Sequence, residues 1–249
     1  MAAMLSTLGP ALLLAFLHQW ASYLHPSKFI ARKYWPAFAD GISITYIFLQ
    51  LLPEISHLAS QQTLSDKQYT LQFSGPFASL SGWGEHDPFL PLLIGFTLFY
   101  GLEKWMQKAS AQVSREEAQI HFWVHMLGLA IYKILLGYLL AQMSGWAAIV
   151  AFTLAMVMHF LVIDFHLVEM HRSAYQKIGR WILTVSFLIG WVISLFAVIA
   201  SPVLAMLVSF VAGGAVLLII QDEFSKEHES SFIAFLSAVV LYGALLLSF

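Results

Sequence analysis

Apolar residues along the chain fall into eight long runs, at about 5–24, 35–58, 89–107, 121–143, 146–169, 179–200, 202–222 and 231–249, separated by shorter polar stretches. A membrane-spanning α-helix needs roughly 20 mainly apolar residues at ~1.5 Å each, and every run is close to that length. The pattern therefore predicts an all-α integral membrane protein: eight transmembrane helices forming one domain over residues 1–249. The one long polar, turn-rich stretch, about 59–88, is expected to be an extracytoplasmic loop. The first run lacks a basic leader and a small-residue cleavage site, so it is read as a retained helix and not as a signal peptide.

Composition agrees with the pattern. Hydrophobic residues make up 59% of the chain and charged residues 10%, and the mean hydropathy is +0.77. The net charge of −2 and the absence of a basic stripe exclude nucleic acid as a partner. Cysteine is absent, so neither a disulfide framework nor a thiolate metal site is available. Placing the N-terminus outside puts every lysine and arginine on the cytoplasmic side except Lys67 and the intramembrane Lys133. The positive-inside rule thus orients all eight spans, with both termini extracytoplasmic. The expected location is the plasma membrane or a bacterial inner membrane, with the lipid bilayer itself as the principal partner.

Lys133 is the residue that most needs a reason. It sits at the middle of the run His121–Met143, roughly 15 Å from either surface, too deep to snorkel. A charge there costs ~2.5 kcal/mol or more unless it is paired or faces water. Side chains lean toward a helix's N-terminus, here the cytoplasmic end. Asp40 is therefore the carboxylate expected to pair with Lys133, ahead of Glu103. A Lys–carboxylate pair that only locks helices together is the plain alternative to a functional site.

Residues 4, 7 and 11 apart share one face of a helix. His121, His125, Tyr132 and Leu136 form such a stripe on the fourth helix, and His159, His166 and Met170 form one on the fifth. The two helices are joined by a short turn at Ser144-Gly145 and are expected to lie side by side, antiparallel. His125 and His166 then fall at one depth, where with Glu169 or His121 they form a candidate divalent-metal site near the cytoplasmic mouth. The bland reading is two interfacial histidines bonded to water or backbone. Asp164 points away from His166 and is expected to pair with another helix or with surface water. His18 and His25 share a face at the end of the first helix, among Trp20 and Tyr23, and read as solvated interfacial groups. Glu85, His86 and Asp87 read as part of a solvated loop.

Phe48-Leu49-Gln50-Leu51-Leu52-Pro53-Glu54 resembles the FLHLLPE signature in the second helix of the Zrt/Irt-like (ZIP) divalent-metal transporters, with Gln50 in place of histidine. Gly95, Phe96 and Glu103 match landmarks of that family's third helix, and Gly213 and Asp222 those of its seventh. The resemblance implies an eight-helix ZIP-like bundle and a transport site drawn from helices 2, 4, 5 and 7. At the family's metal-ligand positions this chain has Tyr132, Lys133 and Leu136 on the fourth helix, with Gly137 kept. On the fifth, the HKxPE motif becomes His159-Phe160-Leu161-Val162-Ile163. The resemblance thus implies a remodelled centre of Gln50, Tyr132, Lys133, His159 and Asp40, with Lys133 in place of a metal ligand.

The function expected is that of a transporter, or a transporter-derived protein, for a divalent metal ion such as zinc, acting without catalysis and with a homodimer as the expected assembly. A non-transporting sensor, scaffold or assembly subunit is the alternative, favoured by the loss of the family's bridging glutamates. A membrane metallo-hydrolase or oxidase needs three or more convergent ligands and a general base, whereas the sequence sets only two histidines at one depth. The last two helices carry no embedded lysine, which argues against a retinal receptor.

Overall fold

The computed structural model describes residues 2–21, 33–57, 89–109, 115–197, 199, 201–223 and 231–248. Among these the chain is helical throughout, with no β-strand. The helices are α1 (Ala2–Ala21), α2 (Trp35–Tyr46), α3 (Phe89–Ala109), α4 (Arg115–Gln142), α5 (Trp146–Ala174), α6 (Arg180–Phe196), α7 (Ser201–Glu223) and α8 (Phe232–Leu247). Each falls on one of the apolar runs. Four stretches are long and apolar enough to cross a membrane: Phe122–Gln142, Trp146–Glu169, His171–Phe196 and Val203–Ile220. The protein is accordingly a helical, membrane-embedded protein. The expected loop over 59–88, with Glu85, His86 and Asp87, lies outside the described residues, as does His25.

Some helix ends differ from the apolar runs. α4 begins at Arg115, six residues before the apolar run. The range of α5 past the apolar run includes a kink, so the first straight helix of α5 ends close to Glu169, where the run ends. The expected basic loop before Arg180 is instead a sharp turn at His171 (φ −135°, ψ 40°) followed by helix and a π-helical turn, Tyr175–Gly179. A second π-helical turn, Ile47–Leu51, continues α2, with the Leu52 N–H bonded to the Ile47 carbonyl, and leads into helix at 52–57. It lies immediately before Pro53. Proline supplies no N–H and its ring crowds the carbonyl four residues back, and widening the turn relieves both.

The expectation that α4 and α5 pack together is corrected by the structure. They meet only slightly; α4 packs mainly on α6, α3 on α7 and α2 on α8, while α1 lies against α6 and α5, and α2 also touches α5 and α7. Gly145, at φ 88°, turns the chain between α4 and α5 in a conformation that favours glycine, but a tight turn does not decide which faces meet. Glycine contacts decide that. A Cβ at Gly137 would strike the Phe187 carbonyl, and one at Gly190 the Ile134 carbonyl, so α4 and α6 touch backbone to backbone. Gly95 meets Phe210 and Gly213 meets Leu92 in the same way between α3 and α7. Such small-residue contacts are how helices pair where lipid removes most of the hydrophobic drive between them.

The core gathers Tyr46, Phe152, Phe160, Phe187 and Leu140. Large apolar side chains on the outer surface, among them Ile233, Val240 and Leu247 of α8 and Phe196, are well exposed, as expected of a surface facing lipid.

Candidate transport site and buried ion pair

Four helices, α2, α4, α5 and α7, surround a cavity of about 20 Å³, room for one or two water molecules. Its walls are largely hydrocarbon, with Leu136 on α4, Phe152 and Met156 on α5, Val211 and Ala215 on α7, and Ile47 and Leu51 from the π-helical turn. The polar groups in the wall are Ser43, Tyr46, Tyr132 and His159. The Ser43 hydroxyl donates to the Ala39 carbonyl, which occupies its proton within its own helix. Tyr132 and His159 face each other across the cavity edge, with the phenol oxygen 2.8 Å from Nε2. Neutral imidazole and phenol can exchange a proton or hold a water. Phenol and hydrocarbon do not replace the carboxylates that a hard or borderline cation prefers.

The residues expected at a remodelled centre divide. Tyr132 and His159 line the cavity. Gln50 is half-buried on the π-helical turn and is not in the wall. Asp40 is buried on α2, but it does not hydrogen-bond Lys133, whose Nζ has no hydrogen-bond partner among the described residues. That pairing is corrected. Lys133 is 0% exposed, so its depth is as the sequence requires, and its ammonium position lies 2.9 Å from the centre of the Phe160 ring. The carboxylate whose charge acts on it is Asp164.

Asp164 is fully buried and is held by His18, whose Nδ1 lies 2.8 and 2.9 Å from its two oxygens. His18 stacks on Phe160 with ring centres 5.3 Å apart, and Phe160 in turn meets Phe187 edge-on. The Tyr175 hydroxyl lies near enough to Asp164 to interact with it. α1 is fixed beside this pair by polar contacts with α6: Gln19 donates to the Thr184 hydroxyl at 2.9 Å, Thr184 donates to the Ala15 carbonyl at 2.9 Å, and Trp191 donates to the Thr7 hydroxyl at 3.1 Å.

His18 therefore is not the solvated interfacial group expected from its neighbours Trp20 and Tyr23. A signal was present in Ala11 and Ala15, small residues on the same helical face as His18, which mark a side that packs against other helices. Asp164 does pair with another helix, as a carboxylate in an apolar run should.

The candidate metal ligands are more dispersed. His125 is buried with Nδ1 unpartnered, and both His166 and His171 are near enough to act on it electrostatically. His166 and Glu169 are exposed. The His121 side chain lies outside the described residues. Among the described residues no three or more histidine or acidic side chains converge in a group able to hold a metal.

No protein-family model matches the chain, and neither a curated protein nor a solved structure matches it.

Proposed function

We propose that this protein is a multi-pass membrane transporter, or a descendant of one, with eight crossings, extracytoplasmic termini and a ZIP-like arrangement around a remodelled central site. One observation carries the reading. Exchanging α1 with α6, α2 with α7, α3 with α8 and α4 with α5 maps the helix pairings onto one another: α4–α6 onto α5–α1, α3–α7 onto α8–α2, and α2–α5 onto α7–α4, all of which occur. The α1–α6 and α2–α7 pairings map onto themselves. The exchange leaves α1–α4 without a direct counterpart. Glycines follow it too, since Gly41 of α2 abuts Phe235 of α8 as Gly213 of α7 abuts Leu92 of α3.

If each helix crosses once, exchanged helices run in opposite directions, which is the arrangement of an inverted repeat. Transporters built this way bind substrate between the repeats near the midplane. The cavity fits that position, because its four helices are two exchanged pairs, α2 with α7 and α4 with α5. The substrate in this reading is a divalent cation such as zinc, passing Tyr132 and His159. His125, His166, Glu169 and His121 are the side chains that receive it at the cytoplasmic mouth.

The test is metal analysis of the purified protein, followed by uptake of zinc, iron and manganese into liposomes containing it. Uptake that falls at least tenfold in His159→Ala supports the reading. Absence of uptake for every cation in the panel overturns it. A second reading, a non-transporting sensor or scaffold, draws on the hydrocarbon lining at Leu136 and Val211, and it would then take precedence.

A further inference from the structure

The π-helical turn decides which side chains α2 presents to the cavity. At roughly 100° per residue, a straight α-helix would carry the face of Ser43 through Ile47 to Gln50 and Glu54, the last two within about 20° of Ser43. The turn Ile47–Leu51 adds one residue to that register. Past it, the inward positions are Leu51, in the cavity wall, and Ile55, which is 0% exposed. Gln50 is half-buried and Glu54 is exposed. One residue of register has turned hydrocarbon inward and turned an amide and a carboxylate away.

The two registers differ little in backbone bonding. The Leu52 N–H, bonded to the Ile47 carbonyl in the π turn, would bond the Phe48 carbonyl in the α register, and Pro53 donates in neither. What opposes the α register is crowding of the Pro53 ring against the Leu49 carbonyl. The body of α2 is fixed, since a Cβ at Gly41 would strike the Phe235 carbonyl of α8, so a change of register turns residues 52–57 by roughly 100°. Glu54 already lies close enough for its charge to act on Tyr46 of the cavity wall.

We propose that α2 switches between these registers, and that the α register brings Gln50 and Glu54 into the cavity beside Tyr132 and His159 as ligands for a divalent cation. The identity of the ligand rests on the transporter reading of this cavity; the switch does not. Carboxylate, amide oxygen and imidazole form a donor set suited to such a cation, whereas the wall in the π register holds no carboxylate. A cation that binds only the α register shifts the population toward it. On its release Pro53 restores the π turn, and Leu51 returns to the wall.

The chain has no cysteine, so Ile55→Cys in the full chain in liposomes reports the register through its reaction with a water-soluble maleimide. The thiol should react slowly in the π register. Pro53→Ala removes the crowding ring and should raise the rate several-fold. Manganese, which prefers oxygen ligands to thiol, should raise it several-fold in the protein that keeps Pro53. Deletion of Phe48 removes the added residue and leaves a straight helix with Leu51 and Ile55 inward; both responses should vanish and manganese uptake should fall at least tenfold. Phe48→Ala keeps the residue count and should keep both responses. A rate that neither Pro53→Ala nor manganese changes, in a protein that takes up manganese, overturns the switch and leaves the transporter reading standing, as does wild-type uptake in the deletion. A rate raised by Pro53→Ala in a protein that moves no cation leaves the switch standing and removes the transporter reading.

Discussion

Replacing Lys133 with methionine should make the protein more stable, although it deletes a fully buried basic residue. Lys133 is 0% exposed, and its Nζ has no hydrogen-bond partner among the described residues. Leaving a buried polar group unsatisfied costs about 1–3 kcal/mol, and exchanging buried ionic groups for well-packed apolar ones of similar volume is neutral or stabilising by about 1–4 kcal/mol. Methionine follows the lysine stem and ends in a thioether that packs well on an aromatic ring such as Phe160. Asp164 keeps His18, which contacts both its oxygens, so no carboxylate is stranded. The expected gain is about 1–4 kcal/mol. At ~2–4 °C per kcal/mol for a chain of this size, the midpoint should rise by roughly 2–16 °C. The assay is thermal unfolding in detergent, followed by tryptophan fluorescence at one fixed pH. Lys133→Ala is the control, since it opens a cavity and should lose about 2–5 kcal/mol as other large-to-small changes do. A Lys133→Met protein less stable than the wild type by 1 kcal/mol or more would refute the reasoning, because Lys133 would then be a structural partner and not a cost.

Other outcomes follow from the same contacts. Asp164→Asn should destabilise by about 1–3 kcal/mol by taking the counter-charge from His18, and the loss should shrink in a His18→Gln background; additive effects in the double-mutant cycle would show that the 2.8 Å contact carries no coupling. Gly190→Leu should lower stability by about 1–3 kcal/mol or more, because the rigid Ile134 carbonyl occupies the space of the new side chain, and a wild-type unfolding curve would contradict the α4–α6 crossing. Tyr132→Phe should cost about 1 kcal/mol through loss of the hydrogen bond to His159; calorimetry showing no change would mean the pair is unformed in solution. Exchanging His125 and His166 together for alanine should abolish zinc binding measured by titration, whereas retained binding would move the cation site elsewhere.

Most of the helices were legible because each falls on one of the eight apolar runs, although among the described residues four stretches reach the length and apolarity of a span. Pairing between helices was not, because it depends on where two backbones can touch. Gly137 and Gly190 are visible in the sequence, but only the folded chain shows that each meets the other's helix. The same limit governed the charges. The depth of Lys133 and the need of Asp164 for a partner follow from position alone. The identity of that partner, His18, rests on α1 crossing α5, and nothing in local composition sets that crossing. Trp20 and Tyr23 pointed to an interface, and the burial of His18 overrode them. Tyr132 and His159 were expected together only through the resemblance to the ZIP family, and they do meet at the cavity edge. Gln50 is not in the cavity wall although Ile47 and Leu51 of the same π-helical turn are.

The preference of α4 for α6, and not for α5, has a consequence for biogenesis. Helices leave the translocon in chain order, so a hairpin of α4 and α5 enters the bilayer carrying Lys133 and Asp164 before the glycine face of α6 has been made. The acid has its partner waiting, for His18 was synthesised 146 residues earlier. The lysine rests on the Phe160 ring, which α5 brings with it. Until α6 is made, Gly137 lacks the backbone it abuts, so the α4–α6 seam can close only after both helices of the α4–α5 hairpin have been synthesised.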